Sequence, residues 1–168
     1  KEGDSFGKRW DNAWFHLTGT IPAEWVGKPV WVHLNLGGEI LIFNDSGVPV
    51  FGLTNHSVYN PFYLKEHYEV TASAESNSKV DFWCEVCANG LFGEEEKIDS
   101  NGKVIIMEYG VYDDEMFQLW DAVFTLTSLL ESYEQPCARK YQIAAALEQA
   151  EGIYGEEPEN ASAAREVL

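Results

Sequence analysis

Between residues 12 and 111 hydrophobic and polar positions alternate with a period of two. In PVWVHLNL, Val30, Val32, Leu34 and Leu36 fall on one side while Trp31, His33 and Asn35 fall on the other, because successive strand side chains point to opposite faces. VDFWCEVCAN repeats the pattern, with Val80, Phe82, Cys84, Val86 and Ala88 against Asp81, Trp83, Glu85, Cys87 and Asn89. Further strands are predicted at 13–20, 39–43, 48–53 and 103–111, separated by turn clusters such as NDSG at 44–47 and DSNG at 99–102. Short alternating strands with no helix between them predict an antiparallel two-sheet sandwich or jelly roll and exclude a parallel α/β fold.

At Tyr112 the period changes. Asp113 or Asp114 can cap a helix running to about Tyr133, with acids at the positive end of its dipole. Met116, Trp120, Val123, Thr127 and Leu130 form one stripe, widened by Phe117 and Phe124, and Leu119, Ala122, Leu126 and Leu129 form a second. Two stripes exceed what one covering surface buries, so the second is the candidate interface. Pro136 is placed at the start of a second helix, whose face Ile143, Leu147, Ala150 and Tyr154 can cover the first. A third helical pattern begins near Glu159 and is cut at Leu168 without a capping glycine, as expected of an excised fragment. The expected organisation is a mainly β sandwich over 1–111 and a helical hairpin extension over 112–168.

The formal net charge of -17, with 45% hydrophobic and 14% aromatic residues, describes a folded and strongly acidic protein. Eleven basic residues against twenty-eight acidic ones, without a basic run, exclude nucleic acid as a partner. No apolar run approaches the roughly 18 residues of a membrane span, and no signal peptide opens the chain, so no membrane partner and a cytoplasmic location are expected. Three cysteines do not form a secreted disulfide framework.

The chemistry-bearing residues do not converge. Cys84 and Cys87 have the spacing of a zinc or redox pair, but three residues apart on a strand they face opposite ways, and they are expected to be structural. His16, His33, His56 and His67 lack the spacing of a hydrolytic zinc site, although His16 and His33 could meet across neighbouring strands as a hydrogen-bonded pair. The acid runs 94–96, 113–115 and 156–157 sit in turns or a first helical turn, where carboxylates are solvated rather than held across a cleft for glycoside cleavage. No nucleophile elbow or phosphate-cradling loop is present. Catalytic residues, metal ligands and cofactors are therefore expected to be absent from this chain. WDNAWFHLTGTIPAEW, residues 10–25, carries three tryptophans and a phenylalanine, which serve either packing, the favoured expectation, or sugar stacking through Trp10 and Trp14.

GDSFGKRWDNAWFHLTGTIPAEWVGKPVWVHLNLGGEILIFNDSGVPVFGLTN, from Gly3 to Asn55, resembles the N-terminal domain of cytosolic-type alpha-mannosidases of glycoside hydrolase family 38. The matching motifs run in order: Trp10 to Trp25, the strand Val30 to Leu36, the hairpin Gly37 to Ile42 and the turn strand Gly47 to Gly52. EVCANGLFG at 85–93 and the tail ENASAAREVL are similar to the family's strand end and closing region. The resemblance implies a galactose-binding-like jelly roll, itself non-catalytic, that serves inter-domain packing or oligomer assembly. It implies that the zinc ligands and nucleophilic aspartate lie in a following catalytic domain of the same polypeptide, since the H-x-D-x-A-W-like segment that opens that domain does not occur here. The implied partners are that domain and a second copy of the chain. The alternative is an autonomous carbohydrate-binding module.

Overall fold

The structure, a computed structural model, describes residues 1–55, 64–89 and 102–168. His56, the acid run 94–96, most of the DSNG turn and the end of EVCANGLFG lie outside the described residues. The chain divides into two compact units, Lys1–Tyr112 and Asp113–Leu168.

In the first unit the described strands are β1 Asn12–Thr20, β2 Val30–Asn35, β3 Glu39–Phe43, β4 Pro49–Thr54, β5 His67–Thr71, β6 Lys79–Cys87 and β7 Ile106–Val111. They form a four-stranded sheet in the order β1-β6-β3-β4 and a three-stranded sheet in the order β5-β2-β7, with antiparallel pairing throughout. The alternation explains the core between them. Val30, Val32 and Leu34 of one sheet meet Leu17, Ile40, Ile42, Leu53, Val80, Phe82, Cys84 and Val86 of the other in one buried cluster.

Three expectations need correction. HYEVT, residues 67–71, forms β5, an edge strand not among the predicted ones: Tyr68 and Val70 pack against the core while His67 and Glu69 are exposed, and two apolar positions are too short an alternation to mark a strand. The last strand begins at Ile106 rather than at residue 103, since the segment before it pairs with the N-terminus: Ser5 bridges Lys103, and Gly3 and Val104 are joined through backbone. His16 and His33 do not meet across neighbouring strands, because β1 and β2 belong to different sheets.

The chain crosses between sheets at Leu36–Gly37–Gly38. Gly37 has φ 71°, a left-handed conformation, and a side chain at Gly38 would run into the carbonyl of Cys87. Asn55, which follows β4 in the four-stranded sheet, secures this crossing. Its Nδ2 donates to Leu34 O at 2.8 Å, its Oδ1 accepts from Leu36 N at 2.9 Å, and its own N–H donates to Gly38 O at 3.1 Å.

The second unit holds α1 Asp114–Ser132, α2 Ala138–Tyr154 and α3 Ala161–Arg165. Asp113 caps α1, accepting from Met116 N at 3.1 Å. Pro136 stands outside α2, one residue before its N-cap Cys137, and Gly155 closes α2 in the left-handed conformation. α2 does not cover α1 alone. Leu119 is buried with Ala150 of α2 and Ala161 and Ala164 of α3, whose small side chains let the third helix approach closely.

Asn55 is only 2% exposed and is the one buried polar side chain among the described residues. Asn55→Ala strands a buried carbonyl and a buried N–H, and is expected to cost about 2–4 kcal/mol. Urea unfolding measures this, and a loss within error of zero would overturn the assignment.

Candidate functional site

The alternation that turns Phe15, Leu17, Phe82 and Ile42 into the core turns another set outward on the four-stranded sheet. Cross-strand register lines these up in rows. Trp14 lies opposite Glu85, Glu85 opposite Leu41, and Leu41 opposite Gly52; the next row runs Asn12, Cys87, Glu39, Thr54. A third row runs His16, Trp83, Phe43. Trp14 packs on Phe43 with centroids 4.9 Å apart, and His16 stacks flat on Trp83 at 4.4 Å while its Nε2 meets Asp81 Oδ1 at 2.7 Å. These rings are not core: Trp14 is 56% and Trp83 49% exposed.

Beside the rings lies a cleft of about 510 Å³, walled by Asn12, Glu39, Thr54, Lys65 and Glu85 and floored at Leu41 and Gly52. Burial pushes the Glu39 carboxyl above its ordinary range. Burial first, and then the charges of Glu39 and Glu85, push the Cys87 thiol up as well, which suppresses the nucleophilic thiolate. Cys84, on the opposite face of the same strand, is fully buried. The two cysteines cannot hold one ion together.

The other tryptophans of the opening segment go elsewhere. Trp10 sits on the loop before β1 with φ 73°, held by its N–H to Ala88 O at 2.9 Å, with the Arg9 guanidinium 5.6 Å from its ring. Trp25 packs edge-on against Tyr109. Trp31 lies on the outer side of the three-stranded sheet, stacked on Tyr112. On that side His33 is held between Glu66 Oε2 at 3.1 Å and Glu108 Oε1 at 3.2 Å and stacks on His67 at 4.3 Å. Desolvation, then the neighbouring His33, lower the His67 pKa. Among the described residues no group of three or more histidines, cysteines or acids is placed to hold a metal ion.

In the helical unit the four predicted interface residues separate. Leu119 is buried, Ala122 and Leu126 are half-buried, and Leu129 is 41% exposed. The stripe with the greater exposed surface is the other one. Trp120 is 56% exposed and, with Met116, Val123, Leu130, Leu147 and Tyr154, lines an apolar groove of about 590 Å³. Periodicity showed both stripes, but only the packing of α3 over Leu119 decides which one is covered.

The family model of the alpha-mannosidase jelly roll domain matches residues 1–125. The chain belongs to this family. Among curated relatives it is similar to alpha-mannosidase G of Dictyostelium discoideum, 31% identical over 93 residues, which is 55% of this chain and 8% of that protein. It is also similar to alpha-mannosidase 2C1 of Mus musculus, 36% identical over 91 residues, and of Homo sapiens, 35% over 91, each 54% of this chain and 8% of the relative. The jelly roll expected from the alternation and the family expected from the motifs are thus both found. The aligned stretch is a small part of each relative. Among the described residues no helix is long and apolar enough to cross a membrane.

The buried thiol of this jelly roll domain makes its stability alkali-sensitive. Burial raises the Cys84 pKa from 9.0 to about 12, so the folded state holds its proton where the unfolded state releases it. The stabilisation is complete below pH 9.0 and is lost as pH rises toward about 12. Within that window the thiol adds a slope of about 1.4 kcal/mol per pH unit. Cys84→Ala should remove this slope, while Cys87→Ala should leave most of it, as urea midpoints across the window will show. An unchanged slope in Cys84→Ala would exclude the thiol as its source.

Proposed function

We propose that this chain is a non-catalytic N-terminal part of a cytoplasmic alpha-mannosidase, and that its helical unit serves packing against the rest of the polypeptide or a second subunit. The parent enzyme, on this reading, hydrolyses terminal α-linked mannose with a zinc ion bound in a separate catalytic domain. The observation that carries the packing role is the apolar groove along α1 and α2. Trp120 and Val123 stay substantially exposed in it, on a helix already packed through Leu119. Covering such side chains returns about 1.5–3 kcal/mol each. The aligned regions of the alpha-mannosidase relatives, only 8% of each, support an accessory role, since most of those proteins lies outside the shared stretch. The described carboxylates and histidines support it too, because they pair locally rather than converge across one cleft as glycoside cleavage requires. The three free cysteines are compatible with a reducing compartment.

The purified chain is expected to show no turnover of an aryl α-mannoside, with or without added zinc or cobalt. Turnover abolished by changing one of its histidines or acids would sink the non-catalytic reading. At high concentration the chain should self-associate through the uncovered groove, and Trp120→Glu should reverse this by placing a charge in the contact. Sedimentation that finds only monomer for both chains would count against the packing role.

A further inference from the structure

We propose that the cleft on the outer side of the four-stranded sheet is a binding site for a neutral hexopyranoside, whose ring lies against Trp14 while its hydroxyls enter the cleft. This stands apart from the packing role, since every residue involved belongs to the sandwich.

The cleft follows from register. Leu41 faces Gly52 across the β3–β4 pair, and Gly52 contributes no side chain. A Cβ at Gly52 would meet nothing nearer than Ile40 O at 3.9 Å, so the space above it is open rather than filled by a neighbour. Polar side chains stand around this opening because they occupy outward positions on four separate segments. Asn12 is on β1, Glu85 on β6, Glu39 on β3, and Lys65 on the segment bridged to Thr54. Trp14 does not itself line the cleft; it stands next to it, two residues along β1 from Asn12 and directly opposite the lining residue Glu85. Phe43 supports it from one side, and more than half of its surface remains open.

The chemistry of the lining selects the ligand. An exposed indole favours a flat apolar surface, so one face of the ligand must be rich in C–H groups. Around the cleft, Glu39 and Glu85 offer acceptors, and the hydroxyl of Thr54 offers a donor and an acceptor. The amide of Asn12, whose Nδ2 donates to Glu85 Oε1 at 3.5 Å, keeps its oxygen and second N–H. The Lys65 ammonium lies 3.9 Å from the centre of the Phe51 ring. A pyranose supplies this combination, since each hydroxyl both donates and accepts and the ring carries an apolar face. An ammonium or guanidinium group would suit the indole and the carboxylates. It brings only donors, however, and offers no acceptor to the Thr54 hydroxyl or to the second N–H of the Asn12 amide. Anionic ligands are disfavoured by two carboxylates against one ammonium in the lining and by a formal net charge of -17 on the whole chain. The volume of about 510 Å³ lies within the range of small-molecule sites.

The test is an NMR titration of the full chain that follows the Trp14 indole N–H and the backbone amides of β1, β3, β4 and β6. The probes are methyl α-mannopyranoside, methyl β-galactopyranoside, α-mannobiose, glucuronate and arginine methyl ester. Saturable, millimolar shifts at Trp14, Glu39 and Gly52 with at least one neutral pyranoside, and none with glucuronate or the arginine ester, are expected. Equal affinity for monosaccharide and disaccharide supports a free sugar as ligand, and tighter disaccharide binding supports the end of a glycan. Trp14→Ala should weaken binding roughly tenfold or more. Gly52→Leu fills the opening at a position with room for a Cβ, and should abolish binding with the melting temperature little changed. No saturable shift with any pyranoside up to its solubility limit would overturn the site. So would full affinity in a folded Gly52→Leu chain, or shifts with the arginine ester alone.

Discussion

The sandwich depends on how the chain passes from one sheet to the other between β2 and β3. At that crossing the backbone leaves both ladders, and its polar groups need partners in a place water does not reach. Asn55 provides them: one amide side chain satisfies Leu34 O and Leu36 N, and its backbone N–H satisfies Gly38 O. Because Asn55 follows β4, this contact also ties the end of the four-stranded sheet to the centre of the three-stranded one. Leu34 and Leu36, fully buried on either side of Asn35, depend on the same alignment. Gly38 lets the backbone press against Cys87, which sets β3 beside β6 in register.

With β3 fixed beside β6, the outer side of that sheet is fixed too. One choice of register brings Ile40 and Ile42 into the core and Glu39, Leu41 and Phe43 onto the outer surface, because a strand has only two faces. The cleft at Gly52 and the ring pairs Trp14–Phe43 and His16–Trp83 are therefore consequences of core packing. The two sheets differ in what they export. The four-stranded sheet presents exposed rings, whereas the three-stranded sheet presents a polar set in which Glu66 accepts from both His33 and the Asn35 amide.

The helical unit is governed by side-chain size. Ala150, Ala161 and Ala164 allow α3 to lie over Leu119, and Tyr154, Val167 and Leu168 close around that contact. The other stripe has larger side chains, and Trp120, stacked on Phe124, lines the groove with Val123 and Leu130 instead of closing it. Membership of the alpha-mannosidase jelly roll family gives both units a context: the family match covers the sandwich and continues into α1 as far as residue 125.

Local pattern alone determined a great deal here. Val30, Val32, Leu34, Val80, Phe82, Cys84 and Val86 could be assigned to the core because alternation is a property of each strand's own backbone. A helix cap at Asp113 or Asp114 could be assigned for the same reason, since a cap is satisfied within one turn, and the structure places it at Asp113. The motifs from Trp10 to Gly52 could be matched to their family, and Trp14 could be marked as a candidate for sugar stacking. β5 could not be seen, nor the separation of His16 from His33, nor the role of Asn55. The row joining Trp14, Glu85, Leu41 and Gly52 was equally hidden, since it assembles residues from four strands. Which strands become neighbours, and in what register, is decided by contacts between segments tens of residues apart. No local period carries that information, so the cleft and the crossing exist only in the tertiary structure.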